Sequence, residues 1–274
     1  MTAKERRAAR RKALKTQIRD HKRLFIVYMV LRLVVIAVMI AQFFNGNYEN
    51  VFLCVLTLIL FVLPSFVERN FHIDVPDTLE VIVLLFIFCA EILGEIQSYY
   101  IAYPFWDTML HTTNGFLAAA IGLSMVDILN RNERFSFKLS PAFMAMVAFC
   151  FSMTIGVLWE FFEFAMDYFF AFDMQKDTVI HALHTVSLDP SNTNQVVTVD
   201  DIRTVFINGR ELGLGGYLDV GLYDTMKDLF VNFIGAIVFA VIGFFYVKER
   251  DTKVGKLAKK FILQVEHSEN DEVD

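Results

Sequence analysis

Three apolar stretches of the sequence carry polar residues at helical spacing. Asp107 and His111 are four residues apart at the start of one stretch, and Asn114 follows three residues later. The other two stretches carry Glu160, Glu163 and Asp167, and then Asp224, Asp228 and Asn232. Residues three or four positions apart share one face of a helix. A carboxylate and an imidazole with this spacing can therefore approach one ion together.

Oxygen ligands combined with one imidazole suit Mg²⁺, Mn²⁺, Ca²⁺, Zn²⁺ or Fe²⁺. The pattern predicts a divalent metal ion held by Asp107, His111 and Asp228. Glu160 and Glu163 are the candidate catalytic proton acceptors. Hydrogen bonds from neighbouring polar groups orient metal ligands. The candidates for that supporting role are Asn114, Asp167, Asp224, Asn232, Glu91 and Glu95.

Two alternatives to a metal ion stay open. The predicted spans hold many carboxylates but only His111 and Lys227 as cations near them. Each unpaired ion in a low dielectric costs several kcal/mol. The carboxyl groups could instead share protons and hydrogen bonds, or they could line a water-filled vestibule that opens to the outside.

The composition identifies a multi-pass membrane protein. Hydrophobic residues make up 55% of the 274 positions, 29 of them Phe, and they are concentrated in long runs. Carboxylates within membrane segments usually face the bundle interior and mark a site. The three cysteines all lie in apolar runs, which favours small buried side chains over disulfides.

Six apolar runs are long enough to cross a bilayer. They are residues 24–44, 51–67, 79–101, 108–129, 142–170 and 225–247. Lys and Arg are absent from 45–50 and 102–106 but present in the alternate connections, which predicts that both termini are cytosolic. With this topology the Asp/His, Glu and Asp/Asn sets share one depth band below the outer surface. We therefore expect an all-α bundle of six transmembrane helices.

The charges of the chain are segregated at its ends. Residues 1–23 contain ten Lys or Arg against Glu5 and Asp20, a net charge of about +8. Because this segment adjoins an apolar run, it favours anionic lipid headgroups rather than nucleic acid as its partner. In the cytosolic segment 248–274, apolar residues at helical spacing from Val254 to Val265 predict a helix on the inner leaflet surface. Residues 266–274 form an acidic tail.

The connection 171–223 joins the five spans within 24–170 to the last span at 224–247. It is too long for a simple loop. Asn208-Gly209 lies between apolar residues, a pair typical of a tight hairpin turn. We expect a small β-containing lid on the extracytoplasmic side. Its two histidines, His181 and His184, are more typical of solvated loop residues than of metal ligands.

The order Asp107-x-x-x-His111, Glu160-x-x-Glu163 and Asp228-x-x-x-Asn232-x-x-Gly235-Ala236 resembles the YjdF-like bacterial inner-membrane proteins, over most of the chain. Residues 107–243 are similar, more faintly, to the VanZ-like family associated with teicoplanin resistance. In that family Lys often stands at the position of Thr108 and Gln at that of Glu163, and the long lid is absent. The resemblance implies the bacterial plasma membrane and a shared site rather than a particular reaction.

Three functions fit these residues. The first is a metal-dependent hydrolase or transferase that acts on a lipid-linked or cell-envelope substrate at the outer leaflet. The second is a proton or divalent-cation transporter. A transporter needs polar groups in both halves of the membrane, whereas the inner halves of two spans, 116–126 and 143–156, lack ionisable residues. This lack disfavours transport. The third is a non-catalytic sensor or scaffold whose acidic lid binds a partner.

Overall fold

The computed structural model describes residues 21–71, 73–131, 138–249 and 252–265. This part of the chain is mostly helical, with small two-stranded sheets. Five of its helical segments are long and apolar enough to cross a bilayer: Lys22–Phe44, Tyr48–Asn70, Trp106–Arg131, Pro141–Phe170 and Leu222–Lys248. The predicted helical class with several apolar helices is confirmed.

The described helices are α1 (Lys22–Phe44), α2 (Tyr48–Leu60), α3 (Leu63–Phe71), α4 (Asp77–Phe88), α5 (Tyr99–Ala102), α6 (Trp106–Arg131), α7 (Pro141–Phe170), α8 (Leu222–Lys248) and α9 (Lys253–Ala258). A π-helix, Cys89–Ile96, follows α4, and a 3₁₀ turn, Lys259–Phe261, follows α9. The described strands are β1 (Ile73–Asp74), β2 (Val179–Ile180), β3 (Leu183–Thr185), β4 (Val197–Val199), β5 (Phe206–Ile207), β6 (Arg210–Glu211), β7 (Tyr217–Leu218) and β8 (Gln264–Val265).

Two compact units divide the chain. The first comprises residues 1–153 and 231–274, and the second comprises 154–230. The first unit contains α1 to α6, the first half of α7 and most of α8. The second contains the remainder of α7, the connection that follows it and the start of α8.

In the first unit, α1 ends where Gly46 adopts a positive φ of 76°. The second apolar run is interrupted between α2 and α3, because Pro64 has no N–H to donate to the carbonyl four residues earlier. Buried side chains from α1, α2, α4 and the π-helix, among them Val35, Cys54 and Leu84, form one hydrophobic cluster.

The predicted third span, 79–101, is not one regular helix. The α-helical hydrogen bonding ends at Phe88, and the π-helix continues to Ile96. Ser98 then adopts a left-handed conformation with φ 57°, which ends the helix before the short α5. The unbroken apolar run in the sequence carries no signal for these backbone changes.

A second cluster of the first unit joins α6, α7 and α8 to the C-terminal segment. Its members Ala119, Leu123, Met144 and Phe239 are completely buried. The start of α7 is capped by Ser140, whose hydroxyl accepts a hydrogen bond from the Phe143 amide at 3.2 Å, and Pro141 occupies the first helical position.

The predicted surface helix over 254–265 is shorter than expected and is packed differently. The helix ends at Ala258, and β8 pairs in antiparallel fashion with β1. Ala258 and Ile262 are completely buried, and the Leu263 amide donates to the Ser124 hydroxyl at 2.9 Å. These apolar side chains therefore bury against the protein rather than on a lipid surface. Periodicity alone could not distinguish the two environments.

In the second unit, the predicted β content of 171–223 is confirmed. Strand β2 pairs with β7, β3 with β4 and β5 with β6, all antiparallel. Asn208 and Gly209 have φ values of 51° and 79° and form the tight turn between β5 and β6.

The two charged ends of the chain lie largely outside the described residues. They are residues 1–20, which are most of the predicted basic segment, and the acidic tail, 266–274.

Candidate functional site

Asp107 and His111 lie one helical turn apart at the start of α6. The distance between Asp107 Oδ1 and His111 Nε2 is 3.4 Å. Their side chains are 22% and 12% exposed, so both are partly withdrawn from solvent. The i to i+4 spacing allows this contact without distorting the helix. The predicted carboxylate–imidazole pair is therefore formed.

One turn further along α6, Asn114 reaches α8. Asn114 Nδ2 donates to Asn232 Oδ1 at 3.4 Å. Asn232 is 1% exposed, and its own amide group donates to the Ser152 carbonyl at 3.4 Å. The Ser152 hydroxyl donates to the Gly115 carbonyl at 2.7 Å. These bonds join α6, α7 and α8 within the first unit and fix both predicted amides.

Two glycines permit this close approach of α6 and α8. A Cβ atom at Gly115 would overlap the Asn232 carbonyl, and one at Gly235 would overlap the Thr112 carbonyl. Small residues at such positions let the backbones of two apolar helices approach closely. Gly115 adjoins Asn114 in the chain, so this backbone contact lies beside the Asn114–Asn232 bond.

The π-helix carries Glu91 and Glu95 beside the start of α6. The Trp106 indole N–H donates to the Cys89 carbonyl at 3.3 Å, and its ring lies 4.9 Å from that of Tyr99 in an edge-on arrangement. π-helices often occur at functional sites. Sequence reasoning found both glutamates but missed the π-helix that carries them.

The second unit holds the predicted proton acceptors. Glu160 is 4% exposed and Glu163 is 7% exposed. The Trp159 indole N–H donates to Glu163 Oε1 at 2.8 Å, which orients that carboxylate. Asp228 is 1% exposed, and Lys227 Nζ lies 3.6 Å from its Oδ1.

Asp167 and Asp224 hold the connecting segment to the helix ends. The two oxygens of Asp167 accept hydrogen bonds from the amides of Met174 and Gln175, at 2.6 and 2.8 Å. Asp224 Oδ2 accepts from the Lys176 amide at 2.9 Å. This anchoring was not predicted, since sequence spacing indicated only that both side chains share a helix face with other acids.

Asp219 is a further anchor that the sequence analysis missed. Its carboxylate accepts hydrogen bonds from the amides of Thr178, Gly221 and Tyr223. Burial acts to raise its pKa, but these backbone donors outweigh burial and the pKa of Asp219 is lowered. Asp219 stands two residues before the N-cap position of α8, so the usual N-cap pattern would not have identified it.

The two lid histidines make local contacts. The His181 ring lies 3.1 Å from the Ile202 carbonyl, and the His184 ring lies 2.9 Å from the Thr198 hydroxyl. Both residues are exposed. The interpretation of these histidines as ordinary loop residues is consistent with these positions.

The predicted site residues are divided between the two units. Asp107, His111, Asn114, Asn232, Glu91 and Glu95 belong to the first unit. Glu160, Glu163, Asp167, Asp224 and Asp228 belong to the second.

Two buried acids of the first unit were not predicted as candidates: Glu80, 4% exposed, and Asp127, 2% exposed. Asp127 is neutralised by Arg131 Nη2 at 2.6 Å, which also donates to the Tyr246 hydroxyl.

Comparisons with known proteins agree with this membrane architecture. The family described as "Predicted membrane protein (DUF2238)" matches residues 27–249. An uncharacterized protein of Thermotoga maritima is 28% identical over 104 residues, which are 38% of this chain. The match covers 52% of that relative, so the chain spans about half its length. No solved structure matches the chain. The chain belongs to the DUF2238 family of predicted membrane proteins, as the resemblance to YjdF-like proteins predicted.

Proposed function

We propose that this protein is a metal-dependent hydrolase or transferase of the bacterial plasma membrane, with a lipid-linked or cell-envelope substrate. The observation that carries the proposal is the Asp107–His111 pair, 3.4 Å apart and partly buried near the start of an apolar helix. Buried carboxylates in a membrane segment usually serve a site.

Asp228 is the proposed third ligand. It precedes Asn232 by one turn of α8, and His111 precedes Asn114 by three residues of α6. The Asn114–Asn232 hydrogen bond sets the register of these two helices within the first unit. Asp107, His111 and Asp228 would supply two carboxylates and one imidazole, a set that suits Mg²⁺, Mn²⁺, Zn²⁺ or Fe²⁺.

The chemistry follows from this ligand set. A bound divalent ion lowers the pKa of a coordinated water and polarises a phosphoryl or carbonyl oxygen. Glu160 or Glu163 would accept the proton of the attacking group. The Trp159 indole fixes one oxygen of Glu163 for this role. Glu91 and Glu95 would add negative charge at the π-helix beside Trp106.

The membrane arrangement is part of the proposal. Six spans would include the segment formed by α4 and the π-helix, 20 residues from Asp77 to Ile96, beside the five long apolar segments. Both termini would be cytosolic, and the segment 171–223 would form an extracytoplasmic lid. The distribution of Lys and Arg among the connections supports this orientation.

Elemental analysis of the purified full chain tests the metal site. We expect the wild-type protein to hold a divalent metal, and His111→Ala and Asp228→Asn each to lose one equivalent of it. His184→Ala is the matched control, because that imidazole is exposed and lies against the Thr198 hydroxyl in the segment 171–223. Equal metal content in wild type and His111→Ala would overturn the proposal.

A further inference from the structure

We propose that a second site, formed by Glu68, Asp77 and Glu80, binds a hydrated divalent cation of the Mg²⁺ class. These residues lie at the end of α3 and the start of α4. The π-helix Cys89–Ile96 continues α4, and Trp106 contacts this opposite end of the helix. The second site is therefore separate from Asp107 and His111, and it does not depend on the function proposed above.

Glu80 is the residue that requires an explanation. It is 4% exposed, on a helix whose neighbouring residues Leu79 and Leu84 are completely or almost completely buried. Its backbone N–H donates to the Pro76 carbonyl at 3.0 Å, but within the described parts of the chain its carboxyl group makes no hydrogen bond or ion pair. An isolated buried carboxylate costs several kcal/mol. Its charge must therefore be removed by a proton or offset by a bound cation.

Two further carboxylates lie near Glu80, since Asp77 is three residues earlier on α4 and Glu68 is held by the chain reversal just before that helix. Strand β1 reverses the chain between α3 and α4, so that Glu68 Oε1 accepts a hydrogen bond from the Val75 amide at 3.1 Å. The charges of Glu68 and Asp77 act on Glu80, as does the imidazole of His21. Glu68, Asp77 and Glu80 are thus neighbours, and within the described residues the imidazole of His21 offers an opposing charge.

The form of the site favours a hydrated ion. His21 Nδ1 lies 2.7 Å from Asp77 Oδ1, and these side chains are 51% and 45% exposed. Water therefore reaches the outer edge of the cluster while Glu80 lies at its buried end. Mg²⁺ keeps several water ligands and needs only one or two carboxylates from a protein. A dehydrated ion enclosed by protein ligands would need a tighter cluster.

Mn²⁺ binding, followed by electron paramagnetic resonance, tests this site. The probe is Mn²⁺ titrated into the full chain in nanodiscs of zwitterionic lipid, with Mg²⁺ as competitor. We expect Glu80→Gln and Asp77→Asn each to weaken one class of Mn²⁺ site by about tenfold or more. Glu49→Gln is the matched control, because Glu49 is an exposed acid at the start of α2. That variant should bind Mn²⁺ as the wild type does.

The outcomes separate the two proposals. If Glu80→Gln and Asp77→Asn both retain wild-type Mn²⁺ affinity, or if Mg²⁺ does not compete, the second site does not exist. Asp77→Asn decides the question should Glu80→Gln fail to fold, because the Asp77 side chain is nearly half exposed. A class of Mn²⁺ site that survives His111→Ala but is lost in Glu80→Gln supports this inference alone.

Discussion

Asn114 Nδ2 lies 3.4 Å from Asn232 Oδ1, and this contact joins two apolar helices through their side-chain amides. Asn232 is almost completely buried and also donates to a backbone carbonyl of α7. An amide in an apolar helix is costly unless it is hydrogen-bonded. The pair therefore fixes the register of α6 against the part of α8 that belongs to the first unit.

A double-mutant cycle should reveal coupling between these two amides. Asn114→Ala and Asn232→Ala should each lower the free energy of unfolding, and the combined variant should lose less than the sum. Hydrogen bonds between transmembrane helices contribute about 0.6 kcal/mol on average and up to about 1.7. Reversible unfolding in mixed micelles measures the coupling. Strictly additive losses would show that the 3.4 Å contact contributes nothing.

The close helix contact should make Gly235 sensitive to a single added methyl group. In Gly235→Ala the new Cβ would overlap the Thr112 carbonyl, which cannot move without shifting α6. Overpacking of this kind costs about 1–3 kcal/mol. Thermal unfolding of the detergent-solubilised protein should show a lower midpoint than in the wild type.

The matched control is Gly243→Ala on the same helix. The Cβ there would meet only the end of the Leu123 side chain, which can change rotamer. Alanine also has the higher helix propensity by about 1 kcal/mol at both positions. Gly243→Ala should therefore unfold close to the wild-type temperature. Equal effects of the two substitutions would contradict the assignment of Gly235 as the backbone contact point.

The sequence predicts the apolar helices well because bilayer thickness sets a length that composition reveals. It predicts the Asp107–His111 contact for a similar reason, since residues four apart in a helix must be neighbours. The tight Asn208-Gly209 turn is equally local. Each of these features depends on a few consecutive residues, and the structure agrees with each.

The features that were missed depend on contacts distant in sequence. Glu80 lies at the edge of an apolar run, and only the tertiary packing around α4 buries it. Ile262 has the spacing of a lipid-facing residue but is enclosed by the first unit. Asp167 and Asp224 resemble site carboxylates until the backbone amides of the connecting segment are seen to occupy them.

Substitution of Ile262 should distinguish the observed C-terminal packing from a helix on a lipid surface. Ile262 is completely buried, so Ile262→Ala should lower the free energy of unfolding by about 2–5 kcal/mol. Leu257→Ala is the control, because Leu257 is 52% exposed in the same segment. We expect that control to change stability little. If the two variants unfold alike in detergent, the C-terminal segment does not pack as described.

The connecting segment should lose order in acid because Asp189 holds one of its loops. Its carboxylate accepts hydrogen bonds from the Ser191 hydroxyl and from the amides of Gln195, Ser191 and Thr193. These bonds lower the pKa of Asp189 to about 2, with the hydroxyl contributing most. A carboxylate with a lowered folded-state pKa stabilises the loop above its unfolded pKa of about 3.8. That stabilisation is lost as the pH falls from about 4 through about 2.

Hydrogen exchange of the Thr193 and Gln195 amides measures this effect, after correction for the intrinsic pH dependence of exchange. In the wild type we expect protection that is constant above about pH 4 and decreases below it, following the ionisation of Asp189. Asp189→Asn should show weaker protection already at neutral pH, because the charge that strengthens the bonds to both amides is absent. Wild-type protection that persists unchanged to pH 2 would show that the loop is held by other contacts.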